Sequence, residues 1–160
     1  MTASDQAPEP KPAATVLLVR DQPEFQVLMV KRHHQIDFAS GALVFPGGKT
    51  HGGDADERWT SHAIGWDDLD AVQRTLRVGA IREAFEETGI LLAQTAQGAP
   101  FVDPCDVAVR SAVDAGEVAF IDVVRELDVR LRLDELAIFA RWITPTIMPK
   151  RFDTWFYAMS

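Results

Sequence analysis

Cysteine is almost missing from this chain: Cys105 is the one thiol among 160 residues. That excludes an internal disulfide framework and any Cys-rich zinc site, and it fits a reducing, cytoplasmic setting. Apolar runs of the roughly 20 residues that a membrane span needs are also missing. The polar, Pro-rich start from Met1 to Pro12 lacks the pattern of a secretory signal. Basic residues are in short supply, with 16 Lys and Arg against 24 Asp and Glu, a net charge of −8. This argues against a nucleic-acid polymer or an anionic membrane as partner. An anionic substrate would need its charge offset locally, for which a divalent cation is the obvious means. What the chain does have is the composition of one ordinary globular domain, 47% hydrophobic and 25% charged. A domain of this length buries roughly 68–70% of its unfolded surface, enough for a core without covalent staples.

Residues 1–12, with Pro8, Pro10 and Pro12, read as a disordered lead-in, and residues 13–160 as the domain. Val16–Val19 and Phe25–Val30 are short apolar runs around Asp21-Gln22-Pro23-Glu24, which predicts a β-hairpin. A third strand, Ala42–Phe45, is stopped by Pro46-Gly47-Gly48. Residues 49–67 have no clean period and predict a long surface loop. A helix follows from about Leu69 to Thr88, capped by Asp67 or Asp68 and ended by Gly89. Residues 103–127 read as mostly helical, starting at Asp103-Pro104 and divided by Gly116. Leu136–Ile143 and Phe152–Ala158 read as strands. Strand and helix alternate without a strict βαβ repeat, so the expected class is α/β, with helices packed on a mixed sheet.

The chemistry concentrates in Arg82-Glu83-Ala84-Phe85-Glu86-Glu87-Thr88-Gly89-Ile90. At 100° per residue, Glu83, Glu86 and Glu87 share an arc of about 100°. Val78, Ile81 and Phe85 lie on the opposite side as a core-facing stripe. Like charges three and four residues apart repel, and the helix C-terminus disfavours anions. A sequence that accepts both penalties points to a cation there, and carboxylate oxygens suit Mg²⁺ or Mn²⁺. The plain alternative is a solvated acidic helix end.

Together with Phe45-Pro46-Gly47-Gly48, this segment resembles the Nudix hydrolase family, whose box is written G-x5-E-x7-R-E-U-x-E-E-x-G-U with U apolar. Arg82–Ile90 fits the right half at every defined position. The left half is interrupted: counted from Gly48, the box arginine would fall at 62, where His62 stands, so about twenty residues are inserted before Arg82. The first box glutamate has no clean counterpart, and Asp54, Asp56 and Glu57 are the candidates to replace it as partner of the arginine. The approach Phe38–Gly48, the insertion, and the later Trp142-Ile143-Thr144-Pro145 and Arg151-Phe152-Asp153-Thr154 resemble the branch that includes peroxisomal coenzyme A diphosphatases.

The resemblance implies an α/β/α sandwich with a mixed sheet. It also implies metal-dependent hydrolysis of a diphosphate linkage in a small-molecule nucleotide derivative, coenzyme A or acyl-coenzyme A first, with Mg²⁺ or Mn²⁺ as cofactor. Nucleotide sugars, dinucleotides, or a catalytically silent binding module are the alternatives. Glu86 and Glu87 would be the principal metal ligands, Glu83 a ligand or the general base, and Arg82 the group that holds a carboxylate in place. The Gly47 carbonyl would join the metal, and Phe45, Pro46 and Gly48 would shape the loop. Outside the box, His33-His34, Lys31-Arg32 and Lys150-Arg151 are either anion contacts or solvated residues. Trp59 and Trp66 either stack on a base or anchor the insertion, and Cys105 reads as structural.

In this family the strand matching Phe152–Ala158 is usually followed by another strand and a helix, whereas here it stands close to Ser160. The expectation is a shortened member with weakened catalysis. Aromatics on both faces, Phe156 on one and Trp155 and Tyr157 on the other, predict an open strand covered by a second copy, a homodimer through the C-terminal strand.

Overall fold

The computed structural model describes residues 7–31, 41–102 and 105–160. Arg32, His33-His34, Phe38–Ser40 and Asp103-Pro104 therefore lie outside the described residues. The main sheet is built on β1 (Lys11–Arg20), which starts two residues inside the stretch expected to be a lead-in. Lys11 and Pro12 are held there by parallel pairing with Phe152 and Asp153 of the last strand, β10 (Phe152–Met159). The hairpin expected after β1 is short. β2 (Gln26–Val27) pairs with Arg20 and Val19, and the chain then leaves the sheet. β3 (Val30–Lys31) pairs instead with β4 (Leu43–Val44), as a separate two-stranded ribbon. β5 (Gly47–Lys49) returns to β1, placing Gly47 beside Thr15 and Gly48 beside Ala14.

The insertion is not a surface loop. It folds as two 3-10 turns, Gly52–Ala55 and Glu57–Ser61, and a short strand, β6 (Ala63–Ile64). β6 runs parallel to β8 (Val129–Arg132), which also carries β7 (Ala93–Thr95), giving a second, three-stranded sheet. Trp59 and Trp66 are buried, at 1% and 4% exposure. The Trp59 indole N–H donates to the Gly53 carbonyl at 2.9 Å, and its ring meets Phe120, which in turn meets Phe85. A segment with no periodicity thus supplies large core side chains, which is the anchoring alternative for both tryptophans.

The long helix α1 (Ala71–Thr88) crosses the main sheet over β1 and β5 and takes the first 3-10 turn of the insertion against its side. Its cap is Asp70, not Asp67 or Asp68; the Asp70 carboxylate accepts from the Gln73 amide at 2.8 Å. Gly89, at φ 78°, ends it in the left-handed conformation. Val78, Ile81 and Phe85 are fully buried, as their spacing requires. Arg77, also buried, donates to the Leu133 and Leu136 carbonyls at 2.6 and 2.7 Å and lies over the Tyr157 ring. α2 (Val107–Asp114), capped by Asp106, and α3 (Phe120–Glu126) follow.

The expectation for the last strand is corrected. β10 sits inside the sheet, between β1 and β9 (Ala137–Ile143), so both of its edges are paired. Tyr157 is fully buried within its own chain, where its hydroxyl meets Gln73, and Trp155 packs partly against the core. The C-terminal strand has no free edge to offer a second copy. Among the described residues β9 forms one edge of the sheet, with all seven of its residues exposed, and β2 and β5 lie at the opposite edge. No described helix is long and apolar enough to cross a membrane.

Candidate active site at the acidic end of helix α1

The last two turns of α1 bring the box residues together around Arg82. Its side chain is 4% exposed, and every face of the guanidinium is used. Nε and Nη2 grip the Asp54 carboxylate at 2.9 and 3.1 Å, and Nη2 also donates to the Lys49 carbonyl at 2.8 Å. Nη1 donates to Glu83 Oε1 at 3.0 Å and to both oxygens of Glu86 at 3.0 and 3.1 Å. One planar fork therefore ties the insertion, β5 and the acidic face of α1 into a single unit.

Among the three candidates in the insertion, Asp54 is the one that meets the arginine. It is 2% exposed, while Asp56 pairs with its neighbour Arg58 and Glu57 lies at the start of the second 3-10 turn. Asp54 stands six residues after Gly48, the box spacing, so the interruption falls after it and not before. Its pocket is made by Gly79: a Cβ there would lie 3.0 Å from Asp54 Oδ2. A glycine inside a helix costs about 1 kcal/mol against alanine, and Gly79 within an otherwise good helix was the sequence signal for a side chain packing there.

Gly48 explains the other half of the box. A Cβ on it would lie 2.5 Å from the carboxylate atoms of Glu83, so any larger residue would push that carboxylate out of its present place. The Gly47 amide donates to Glu87 Oε2 at 3.1 Å. Pro46 is buried, and its carbonyl accepts from the Val16 amide at 2.9 Å, which fixes the bend into β5. Phe45 is half-buried and faces the cavity in front of the carboxylates.

That cavity, of about 670 Å³, has a polar floor of Glu83, Glu86, Glu87 and Asp114 and an apolar wall that includes Met29, Val44, Phe45 and Phe156, with Lys31 at its edge. Burial pushes the Glu83 and Glu86 carboxyls above the usual range, the Arg82 charge pulls the other way, and the remaining carboxylates, Asp114 among them, add to the rise. Among the described residues, no three His, Cys, Asp or Glu side chains are already drawn into a cation cage; Glu83 and Glu86 are turned onto Arg82. The donor chemistry nevertheless fits a hard divalent cation, since the groups available are carboxylate oxygens and a backbone loop on one helix face. A cation would also relieve the charge that burial disfavours.

Other candidates fall elsewhere. Arg151 is used structurally, with Nε on the Thr144 carbonyl at 3.0 Å and Nη1 on the Pro8 carbonyl at 2.7 Å, and its neighbour Lys150 is exposed. Cys105 is half-buried against the core. Arg110 of α2 is a contact that the sequence reading missed. It packs over Gly89, and its Nη2 donates to the Glu86 carbonyl at 3.2 Å.

Comparison with known proteins agrees with this geometry. A family model described as the NUDT19 Nudix domain matches residues 67–160, a stretch that starts after the interruption. Acyl-coenzyme A diphosphatase NUDT19 of Xenopus laevis is 25% identical over 177 residues, covering 84% of this chain and 47% of that protein. A Caenorhabditis elegans protein with the provisional name nudix hydrolase 7 is 28% identical over 134 residues, covering 84% of this chain and 39% of its own length. The chain thus spans less than half the length of these curated relatives. Among solved structures, a NUDIX hydrolase from Alicyclobacillus acidocaldarius superimposes with a TM-score of 0.79 at 26% identity, over 94% of this chain and 69% of that one. With the box helix, the glycine strand and the arginine between them in place, the chain belongs to the Nudix hydrolases, in the family of the NUDT19 Nudix domain.

Proposed function

We propose that the chain hydrolyses the diphosphate linkage of a small nucleotide derivative with Mg²⁺ or Mn²⁺, and that coenzyme A or an acyl-coenzyme A is the first substrate to test. The observation that carries this reading is the packing of Gly47-Gly48 against Glu83 and Glu87, which sets a backbone loop and three carboxylates around one end of the cavity. Nudix hydrolases generally use divalent metal ions. Glu83, Glu86 and Glu87, with the Gly47 backbone, are the groups that would hold one. When bound, such an ion supplies positive charge to phosphate oxygens and acidifies water.

The chain's own residues do the rest. Arg82 fixes the directions of Glu83 and Glu86 and ties them to β5, so the carboxylates are presented as a set. Glu83, held between the Gly48 backbone and the Arg82 guanidinium at the cavity, is placed to take a proton from attacking water. The apolar wall provides room for a non-nucleotide arm beside the diphosphate. The name of the Xenopus relative directs the choice of substrate to acyl-coenzyme A.

The test is incubation with coenzyme A, an acyl-coenzyme A, a nucleotide sugar and a dinucleotide, each with Mg²⁺ and with Mn²⁺, followed by mass-spectrometric identification of products. The expected result is cleavage between the two phosphorus atoms, fastest for the coenzyme A compounds and lost in Glu86→Gln. A nucleotide sugar or dinucleotide cleaved in preference would replace the substrate and keep the chemistry. No cleavage of any compound would leave a silent binding module.

A further inference from the structure

Asp114 is the last residue of α2, outside the box, and it lines the cavity together with Glu83, Glu86 and Glu87. Its place there is built, not incidental. The bare backbone of Gly89 lets Arg110 lie over the end of α1, where its guanidinium bonds the Glu86 carbonyl. Asp114 follows Arg110 by four residues, one turn further along the same flank of α2. The arginine thus clamps α2 to the box helix, and the aspartate is carried to the carboxylates. Among the described residues the cavity lining holds four carboxylates and one lysine, Lys31, a balance that repels a diphosphate unless a cation intervenes.

We infer that Asp114 is a fourth carboxylate of the divalent-cation site, holding the ion from the α2 side of the cavity. This rests on the reading that the α1 carboxylates bind such an ion. Asp114 is exposed and makes no tie to the core, so its removal weakens the ion without weakening the fold. Arg110 is its positioning residue, acting through the clamp on Glu86.

The experiment is a titration of Mn²⁺ against the full chain, followed by the electron-paramagnetic-resonance signal of the free ion. Wild type, Asp114→Asn, Asp114→Glu, Glu86→Gln and Glu117→Gln are compared at low and at 0.5 M salt. Glu117 is an exposed acid three residues away that does not line the cavity, so Glu117→Gln removes the same charge from the same neighbourhood. The expected result is about a tenfold loss of Mn²⁺ affinity in Asp114→Asn, kept at high salt, with partial recovery in Asp114→Glu and no change in Glu117→Gln. Melting temperatures without metal should match the wild type for both Asp114 variants. Wild-type affinity in Asp114→Asn, alongside a loss in Glu86→Gln, overturns the inference and leaves the box site standing. An equal loss in Glu117→Gln, erased by salt, also overturns it, since that is the signature of net charge alone. A wild type that binds no Mn²⁺ overturns the box site and this inference together.

Discussion

Trp59 in the insertion and Trp142 on β9 are the same side chain in opposite surroundings, one 1% exposed and the other 67%. The ion pairs beside them repeat the contrast. Arg82 holds Asp54 with contacts of 2.9 and 3.1 Å, and Arg141 holds Asp153 with 2.8 and 2.6 Å, so the two forks are nearly equal in length. The first pair is enclosed by α1, β5 and the insertion; the second lies open on the β9–β10 surface, with Arg141 also over the Trp155 ring. Equal geometry does not mean equal worth. Water already satisfies an exposed pair and screens it, whereas a buried charge that loses its partner has nothing to replace it. The insertion is therefore part of the candidate site's scaffold, whereas the exposed side chains of β9 lie outside it.

Five substitutions break or sharpen this contrast, each read by urea unfolding. Trp59→Ala empties a site between Gly53 and Phe120 and should cost about 3–5 kcal/mol, dropping the midpoint without changing the fold of the remaining strands. Asp54→Ala leaves the Arg82 fork with its Lys49, Glu83 and Glu86 contacts but no partner in the insertion, and about 3 kcal/mol should be lost. Mn²⁺ affinity should fall with it, because the insertion no longer anchors the arginine that orients Glu83 and Glu86. A loss as small as that of a surface pair would mean that the insertion does not support the site.

Tyr157 gives the third test, through pH. Burial pushes its phenol up to about 12, against the influence of Arg77 and the Gln73 bond. Between pH 10 and 12 the unfolded chain therefore releases this proton while the folded chain keeps it, so stability falls as pH rises through that window. Tyr157→Phe should cost about 1 kcal/mol at pH 7 for the lost hydrogen bond and should then lose less than the wild type on going from pH 10 to 12. Equal slopes would place the phenol in water. Smallest of all, Trp142→Ser should change stability by about 0.5 kcal/mol or less, and Asp153→Asn should leave the midpoint within error.

The parts of this molecule that sequence makes legible are those that depend on near neighbours. The arc of Glu83, Glu86 and Glu87, the opposite stripe of Val78, Ile81 and Phe85, and the stop at Gly89 follow from helical period alone, and α1 has them all. Even here the cap is misplaced: the pattern puts the start at about Leu69 behind Asp67 or Asp68, whereas the helix begins after Asp70. What stayed hidden depends on distant pairing. β6 and β7 are two and three residues long and exist because β8 lies between them. β10 is interior because β1, far away in the chain, pairs with it in parallel. The burial of Trp59 and Trp66 has no local signature, since 3-10 turns carry no amphipathic period. Asp54 is one of three acidic candidates in the insertion, and its buried contact with Arg82, in the space left by Gly79, is what distinguishes it.

The insertion interrupts the box in sequence and leaves it whole in space. Anomalous scattering from a crystal grown with Mn²⁺ tests this most directly. A peak in contact with Glu83, Glu86 and Glu87, beside Gly47, with Asp54 still on Arg82, is the predicted result. A peak elsewhere, or none at saturating Mn²⁺, would contradict it.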